Sequence, residues 1–268
     1  MITGTVLDRI ADATRRRVER AMAEVSIDEL SELLAETPER RPFAAALRSE
    51  GISIIAEIKR ASPSAGVIAP EIDPADTAAE YRDHGARAIS VLTEPDFFGG
   101  DIAHLKAVRR RVDLPLLMKD FFIDDYQVAQ ARVAGADCVL LIVALLGPRE
   151  LRRMLDAADN YGVEALVEVH NEAEMEDATA AGALLVGVNN RNLKTLDVDL
   201  EVSRRLAPMA AEMGERGQTL VCESGLRRRD QLEEMAALGF DAFLVGTHLV
   251  ASRRPGEALS DLLDQRTN

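Results

Sequence analysis

The chain has 268 residues, 47% hydrophobic and 29% charged, enough to bury one sizeable core and short enough for a single α/β barrel domain. Its 46 acidic against 32 basic residues leave a net charge of −14, which argues against a nucleic-acid or anionic-membrane surface, because both need a basic field. No run approaches the roughly eighteen apolar residues of a membrane span and the N-terminus lacks the order of a secretory signal, so the chain reads as soluble and cytoplasmic.

Along residues 5–25, Leu7, Ile10, Thr14, Val18, Ala21 and Val25 recur near a 3.6-residue period, with Arg15, Arg16, Glu19 and Arg20 largely opposite. This predicts an amphipathic helix. Ser26 and Glu29 offer a capping box for a short helix through about Leu34; Pro38 and Pro42 punctuate a linker, and Phe43–Leu47 reads as a last helical turn before Gly51. Residues 1–50 are therefore expected to be a helical extension, either a solubilising or oligomer-contacting arm or a contributor to the site.

From Ile52 onward, short apolar runs alternate with helical patterns. The runs are 52–57, 88–93, 114–119, 137–143, 164–169, 184–189, 219–223 and 241–246. Near-continuous apolar runs imply strands covered on both faces, as in a parallel sheet. Helical segments 75–84, 126–134, 173–181 and 229–238 each run into a glycine, Gly85, Gly135, Gly182 and Gly239, with the next strand close behind. Eight such units predict one (β/α)8 barrel domain over 1–268 with an N-terminal helical extension. A doubly wound open sheet is the alternative, but neither GxGxxG after the first strand nor a Walker motif is present.

In a barrel the site lies at the C-terminal ends of the strands, where Glu57 and Lys59, Thr93 and Glu94, Lys119, Glu168, Asn189 and Glu223 collect. Each alone could be a solvated strand end or a structural ion pair; their recurrence at one level predicts a catalytic mouth. Lysines facing glutamates there stay protonated and can act as acids or bind a carboxylate, while a partly desolvated glutamate can accept or relay a proton. Ser224 and Gly225 after the seventh run, with Gly246 and Thr247 after the eighth, suit a backbone cradle for phosphate. Cys138 and Cys222 sit inside apolar runs and read as small buried hydrophobes. His84, His104, His170 and His248 have no partner at metal-ligand spacing, so no metal site is expected. The scarcity of lysine (Lys59, Lys106, Lys119 and Lys194 only) is compatible with life in high salt and also with a GC-rich genome.

The segments IIAEIKRASPSAG (54–66), LMKDFFID (117–124), LLIVALL (140–146), ALVEVHNEAE (165–174), GVNNRNLKT (187–195) and CESG (222–225) resemble indole-3-glycerol-phosphate synthase across nearly the whole chain. The resemblance implies closure of 1-(2-carboxyphenylamino)-1-deoxyribulose 5-phosphate to indole-3-glycerol phosphate with loss of CO2 and water, without metal or organic cofactor. It implies Lys119 as the general acid at the substrate ketone and Lys59 as the holder of the anthranilate carboxylate. Glu57 and Glu168 become acid, base or charge-placing groups, and Asn189 and Glu223 orient substrate hydroxyls and ring. Ser62, Ser224, Gly225, Gly246 and Thr247 resemble phosphate contacts, supported by Arg191. Phe98, Phe121, Leu140 and Leu193 resemble the apolar wall around the aromatic ring. His248 departs from the smaller residue usual there. A phosphoribosylanthranilate isomerase would share barrel and cradle but not the pairing of Glu57 and Lys59 with Lys119 and Glu168, and a noncatalytic phosphate-binding barrel would not need these proton-transfer groups.

Overall fold

The computed structural model describes residues 4–264. Helix α1 (Val6–Glu24) begins where Thr5 accepts the Asp8 amide and Asp8 accepts the Thr5 amide, which satisfies two otherwise orphaned donors. The capping box expected of Ser26 and Glu29 starts α2 (Ile27–Ala35) in the same way. After the proline linker, α3 (Phe43–Leu47) has no side-chain cap of its own; the Glu164 carboxylate accepts from its Phe43 and Ala44 amides instead.

Strand β1 (Ser53–Ile58) leads into a small antiparallel hairpin of β2 (Ala61–Ser62) and β3 (Gly66–Val67). Then follow α4 (Pro74–Asp83), β4 (Ala88–Leu92), α5 (Pro95–Phe98), α6 (Ile102–Arg111), β5 (Leu116–Lys119), α7 (Asp125–Val133) and β6 (Cys138–Ile142). The chain continues with α8 (Val143–Tyr161), β7 (Glu164–Val169), α9 (Glu172–Ala180), β8 (Leu185–Asn189), α10 (Glu201–Glu215) and β9 (Thr219–Glu223). It ends with α11 (Arg229–Ala237), β10 (Ala242–Val245), α12 (Thr247–Val250) and α13 (Pro255–Leu263). The eight long strands pair in parallel and close in the order β1-β10-β9-β8-β7-β6-β5-β4. The barrel is closed, which excludes the open-sheet alternative. The run predicted over 137–143 is cut one residue short because Val143 already starts α8, a helix that Gly147, at φ 68°, breaks and restarts. Among the described residues no helix is long and apolar enough to cross a membrane.

Strand alternation sorts the barrel into an outer layer and an interior. Ile54, Ala56, Ile89, Val91, Val139 and Leu141 pack outward against the helices, whereas Ile55, Leu117, Leu140, Leu166, Leu185, Val221 and Leu244 form a separate inner cluster. Two residues beyond Ile55, Leu117, Leu166 and Val221, on the same face, stand Glu57, Lys119, Glu168 and Glu223. The apolar layer is the floor and the charges are the next layer up.

The N-terminal extension packs on its own barrel at both ends. Phe43 and Leu47 of α3 are fully buried against the inner cluster, a burial worth roughly 2 kcal/mol for each side chain. Helix α1 lies at the opposite end, where Ile10 joins the same cluster and Arg17 pairs with Asp120, just past β5.

Candidate active site

The mouth of the barrel opens into a cavity of about 370 Å³ lined by the ends of all eight strands, a size suited to a small organic ligand. Glu57, Lys59, Lys119, Glu168, Asn189 and Glu223 all line it, with Arg191 and the Ser224, Gly225, Gly246 and Thr247 loops around the rim. Lys59 Nζ lies 2.6 Å from Glu57 Oε1. Lys119 Nζ lies 2.8 Å from Glu223 Oε2 and 3.5 Å from Glu168 Oε2. The cations are thus interleaved with three buried carboxylates, and the arrangement survives burial because each charge faces its opposite.

Burial works against the charge of Lys119, but Glu223, Glu168 and Glu57 outweigh it and raise its pKa, so the ammonium holds its proton. Burial also works against Glu168, yet Lys119 and His170 overcome it, with Asn189 donating to the same carboxylate, and the pKa falls to about 2. Glu57 is lowered despite burial by Lys59 and Lys119. Glu223 goes the other way: burial, reinforced by the Glu168 and Glu57 carboxylates, prevails over Lys119 and lifts it to about 7. Its Oε1 is buried with no hydrogen-bond partner. This oxygen lies against Gly187, and with its pKa near neutrality Glu223 is the carboxyl of the three whose charge changes most readily there.

Phe98, Phe121, Leu140 and Leu193 all line one cavity. Phe98 and Phe121 meet with ring centroids 6.0 Å apart, tilted by 39°, and Leu140 and Leu193 complete the lining. Phe98 closes α5, a one-turn helix missing from the sequence-based expectation, whose first amides, at Asp96, Phe97 and Phe98, all donate to Glu94.

Several expected residues do other work. Glu94 and Thr93 do not face the cavity: Glu94 caps α5, and the Thr93 hydroxyl donates to Asp120 at 2.7 Å. Ser62 is absent from the lining, since its hydroxyl accepts the Ala65 amide within the hairpin; Ser64 and Ala65 reach the cavity instead. Ser64 is tied across the mouth by Arg191, whose guanidinium donates to its hydroxyl at 3.0 Å. Ser224 and Gly225 turn through positive φ, 68° and 87°. A Cβ on Gly225 would collide with Val198 at 2.7 Å, so this glycine also lets the loop after β8 close against the loop after β9. His248 and Arg227, which joins it on the rim, both line the cavity; burial foremost, then Arg227, lowers the His248 pKa. Cys138 and Cys222 are buried and free, as read from their runs, and burial pushes the Cys222 thiol up to about 11, so neither is a nucleophile.

His170 has no partner at metal-ligand spacing, but the i, i+2 rule that joins Glu57 to Lys59 also joins Glu168 to His170 and marks it for the site. In the structure its ring stands between Glu168 and Glu174.

A closed parallel barrel with lysines and glutamates converging at the C-terminal mouth defines a (β/α)8 enzyme performing acid–base chemistry on a small molecule. The family model described as Indole-3-glycerol phosphate synthase matches residues 7–262, and the chain belongs to that family. Indole-3-glycerol phosphate synthase from Streptomyces griseus subsp. griseus is 46% identical over 259 residues, covering 97% of this chain and 95% of its own. Indole-3-glycerol phosphate synthase 1 of Streptomyces coelicolor is 47% identical over 260 residues, with the same coverage. The enzyme of that name from Mycobacterium sp. (strain KMS) is 46% identical over 268 residues, 100% of this chain and 97% of its own. Among solved structures, the crystal structure of KGPDC from Streptococcus mutans superposes with a TM-score of 0.59 at 14% identity, over 80% of this chain and 96% of that one, a likeness of fold alone. The chain is accordingly a carboxy-lyase of tryptophan biosynthesis.

Proposed function

We propose that the cavity divides the ring-closing reaction among its charged groups as follows. Lys119, held protonated by Glu223 and Glu168, donates to the substrate ketone oxygen while the ring carbon that carries the carboxylate attacks the ketone carbon. Loss of CO2 from that carbon restores the aromatic ring. The hydroxyl left by the former ketone then departs as water, which needs an acid at the oxygen and a base at the neighbouring carbon. Glu223, lifted to about 7 and lining the cavity, serves as one partner of that step. Lys59, beside Glu57, binds the anthranilate carboxylate before it leaves and assists the later proton transfer. Asn189, whose Oδ1 is fixed by the Arg191 amide at 2.9 Å, presents its amide nitrogen to Glu168 and the substrate hydroxyls.

The phosphate docks on the amides of Ser224, Gly225, Gly246 and Thr247, with Arg191 beside them, and the aryl ring lies against Phe98, Phe121, Leu140 and Leu193. The reaction takes place in the cytoplasm on a diffusible phosphorylated substrate, in keeping with an acidic surface that does not favour nucleic acid or anionic lipid.

The observation that carries this reading is the placement of Lys119 Nζ between two carboxylates at the base of the cavity. Incubation with the carboxyphenylamino-deoxyribulose phosphate while following indole fluorescence tests it. Wild-type protein should turn over without added metal, and Lys119→Met should lose roughly 100- to 10,000-fold in kcat, the usual worth of a general acid. Activity within tenfold of wild type in Lys119→Met would remove Lys119 from the role.

A further inference from the structure

His170 follows β7 by one residue. Its Nδ1 lies 2.9 Å from Glu174 Oε2 and its Nε2 3.3 Å from Glu168 Oε1, with the side chain 13% exposed. An ionised carboxylate only accepts, so a ring serving two of them needs a proton on each nitrogen. A neutral imidazole would turn a lone pair toward one of the anions. Glu168 cannot easily supply the missing proton itself, because Lys119 stands 3.5 Å from its other oxygen and favours the ionised form.

Glu174 is a fixed anchor. It is the third residue of α9, where the helix dipole favours negative charge. Its Oε2 also accepts the His170 amide at 2.8 Å, its Oε1 accepts from Asn171 Nδ2 at 2.7 Å, and its own amide donates to Asn171 Oδ1. The contact to Glu168, by contrast, is an ion pair without hydrogen-bond alignment. One end of the imidazole is therefore locked, while the other acts on Glu168 through its charge. The charged groups around the ring are Glu168 from β7, Glu174 from α9 and, across Glu168, Lys119 from β5. Burial opposes the charge on the ring, but Glu168 and Glu174 prevail and push its pKa up to about 10.

We propose that His170 is a positioning residue for this reaction: an imidazolium that bridges Glu168 to Glu174 and thereby keeps Glu168 ionised and aimed at Lys119. The inference rests on the roles given above to Lys119 and Glu168, and it extends the working site outward to the N-terminus of α9.

Nitrogen NMR of the full-length protein labelled at histidine tests the bridge without turnover. The His170 ring, identified by its disappearance in His170→Asn, should remain an imidazolium at pH 8.5, where a free side chain is neutral; a neutral ring would overturn the proposal. In steady-state assays His170→Leu should lose about 10- to 100-fold in kcat with KM within about threefold, and the acid limb of its kcat profile should rise by about one pH unit, the usual effect of removing an adjacent opposite charge. His170→Asn, which keeps a donor for Glu168, should recover part of the loss, and Glu174→Gln should move the acid limb the same way by less. A loss confined to KM, an unmoved acid limb, or equal losses in the Leu and Asn variants would overturn the positioning role. Should His170→Leu fail to fold, the wild-type NMR result still decides the bridge. Full turnover by Lys119→Met would strike the reading of Lys119 and leave the NMR answer standing.

Discussion

Gly187 and Gly246 sit in the strand-end layer of the mouth, outside the left-handed region, so backbone freedom is not what calls for glycine there. The reason is space. A Cβ on Gly187 would overlap Glu223 Oε1 and stand 3.1 Å from its Cδ; one on Gly246 would overlap Glu57 Oε1 and stand 2.8 Å from its Cδ. Each glutamate lies across a neighbouring strand and fills the volume its glycine leaves empty. Gly187→Ala should therefore push Glu223 off Lys119 and lower kcat at least about tenfold, with an overpacking penalty of about 1–3 kcal/mol; kinetics and thermal melting check both. Wild-type kcat in Gly187→Ala would mean that Glu223 has another seat. At this scale the sequence was legible wherever a charged residue stood two beyond an apolar interior position, as at Glu57, Lys119, Glu168 and Glu223. Gly246 was legible only as a phosphate contact, because the side chain it makes room for belongs to a strand nearly two hundred residues away in the chain. His170 carries the right spacing, but a histidine without a metal-ligand partner gives no signal of its own, and its second carboxylate, Glu174, is set by the fold of α9.

Secondary structure was legible where periodicity had room to develop. The eight apolar runs, the helices ending at Gly85, Gly135, Gly182 and Gly239, and the Ser26 capping box were readable; the two-residue strands of the hairpin and the single turn of α5 are too short to show a period. Nor could the pattern in α1 reveal what its face packs against. Arg17 answers that, pairing with Asp120, while Asp120 also takes the Thr93 hydroxyl and the Phe121 amide. Arg17 also stands 3.9 Å from Glu94, the cap of α5. One guanidinium thus ties the arm to both supports of the Phe98 and Phe121 wall. Arg17→Met should destabilise the fold by about 1–3 kcal/mol by leaving Asp120 buried beneath an uncharged neighbour. Because Asp120→Asn removes the charge that suffers, the double variant should be less damaged than the sum of the singles, with about 1 kcal/mol or more of coupling in a melting cycle. Simple additivity would mean that the arm is held by its apolar face alone. Arg17→Met should also raise KM more than it lowers kcat, since it loosens the wall and leaves the proton-transfer groups in place.

For the whole molecule, the same buried charges set how stability follows pH. Glu168, lowered to about 2, stabilises the fold above the ordinary 4.5 and loses that contribution as pH falls toward 2. Glu223, raised to about 7, contributes fully below 4.5 and loses its contribution as pH rises to 7; His170, raised to about 10, contributes fully below 6.5 and loses its contribution from there to about 10. The windows place greatest stability near pH 4.5, with a decline on the alkaline side that Glu223 starts and His170 continues above 6.5. Net charge works in the same direction, growing to −14 at pH 7 and adding self-repulsion among exposed carboxylates. Salt separates the two causes, because the screening length falls from about 30 Å at 0.01 M to about 3 Å at 1 M for exposed charges, while Glu168 and His170 are too buried to be screened in this way. Exposed ion pairs such as Arg204 with Glu234 are weakened as well, but pairs of this kind contribute little to begin with. Calorimetry at pH 8.5 should therefore show a higher melting temperature in 1 M salt than in 10 mM. Within 1 M salt a decline should persist from pH 6.5 to 9.5 in wild type and flatten in His170→Asn, whose side chain does not titrate. A melting temperature lowered by salt would show that the surface pairs outweigh the repulsion and would remove the case for salt adaptation; an unchanged alkaline slope in His170→Asn would move that loss to another group.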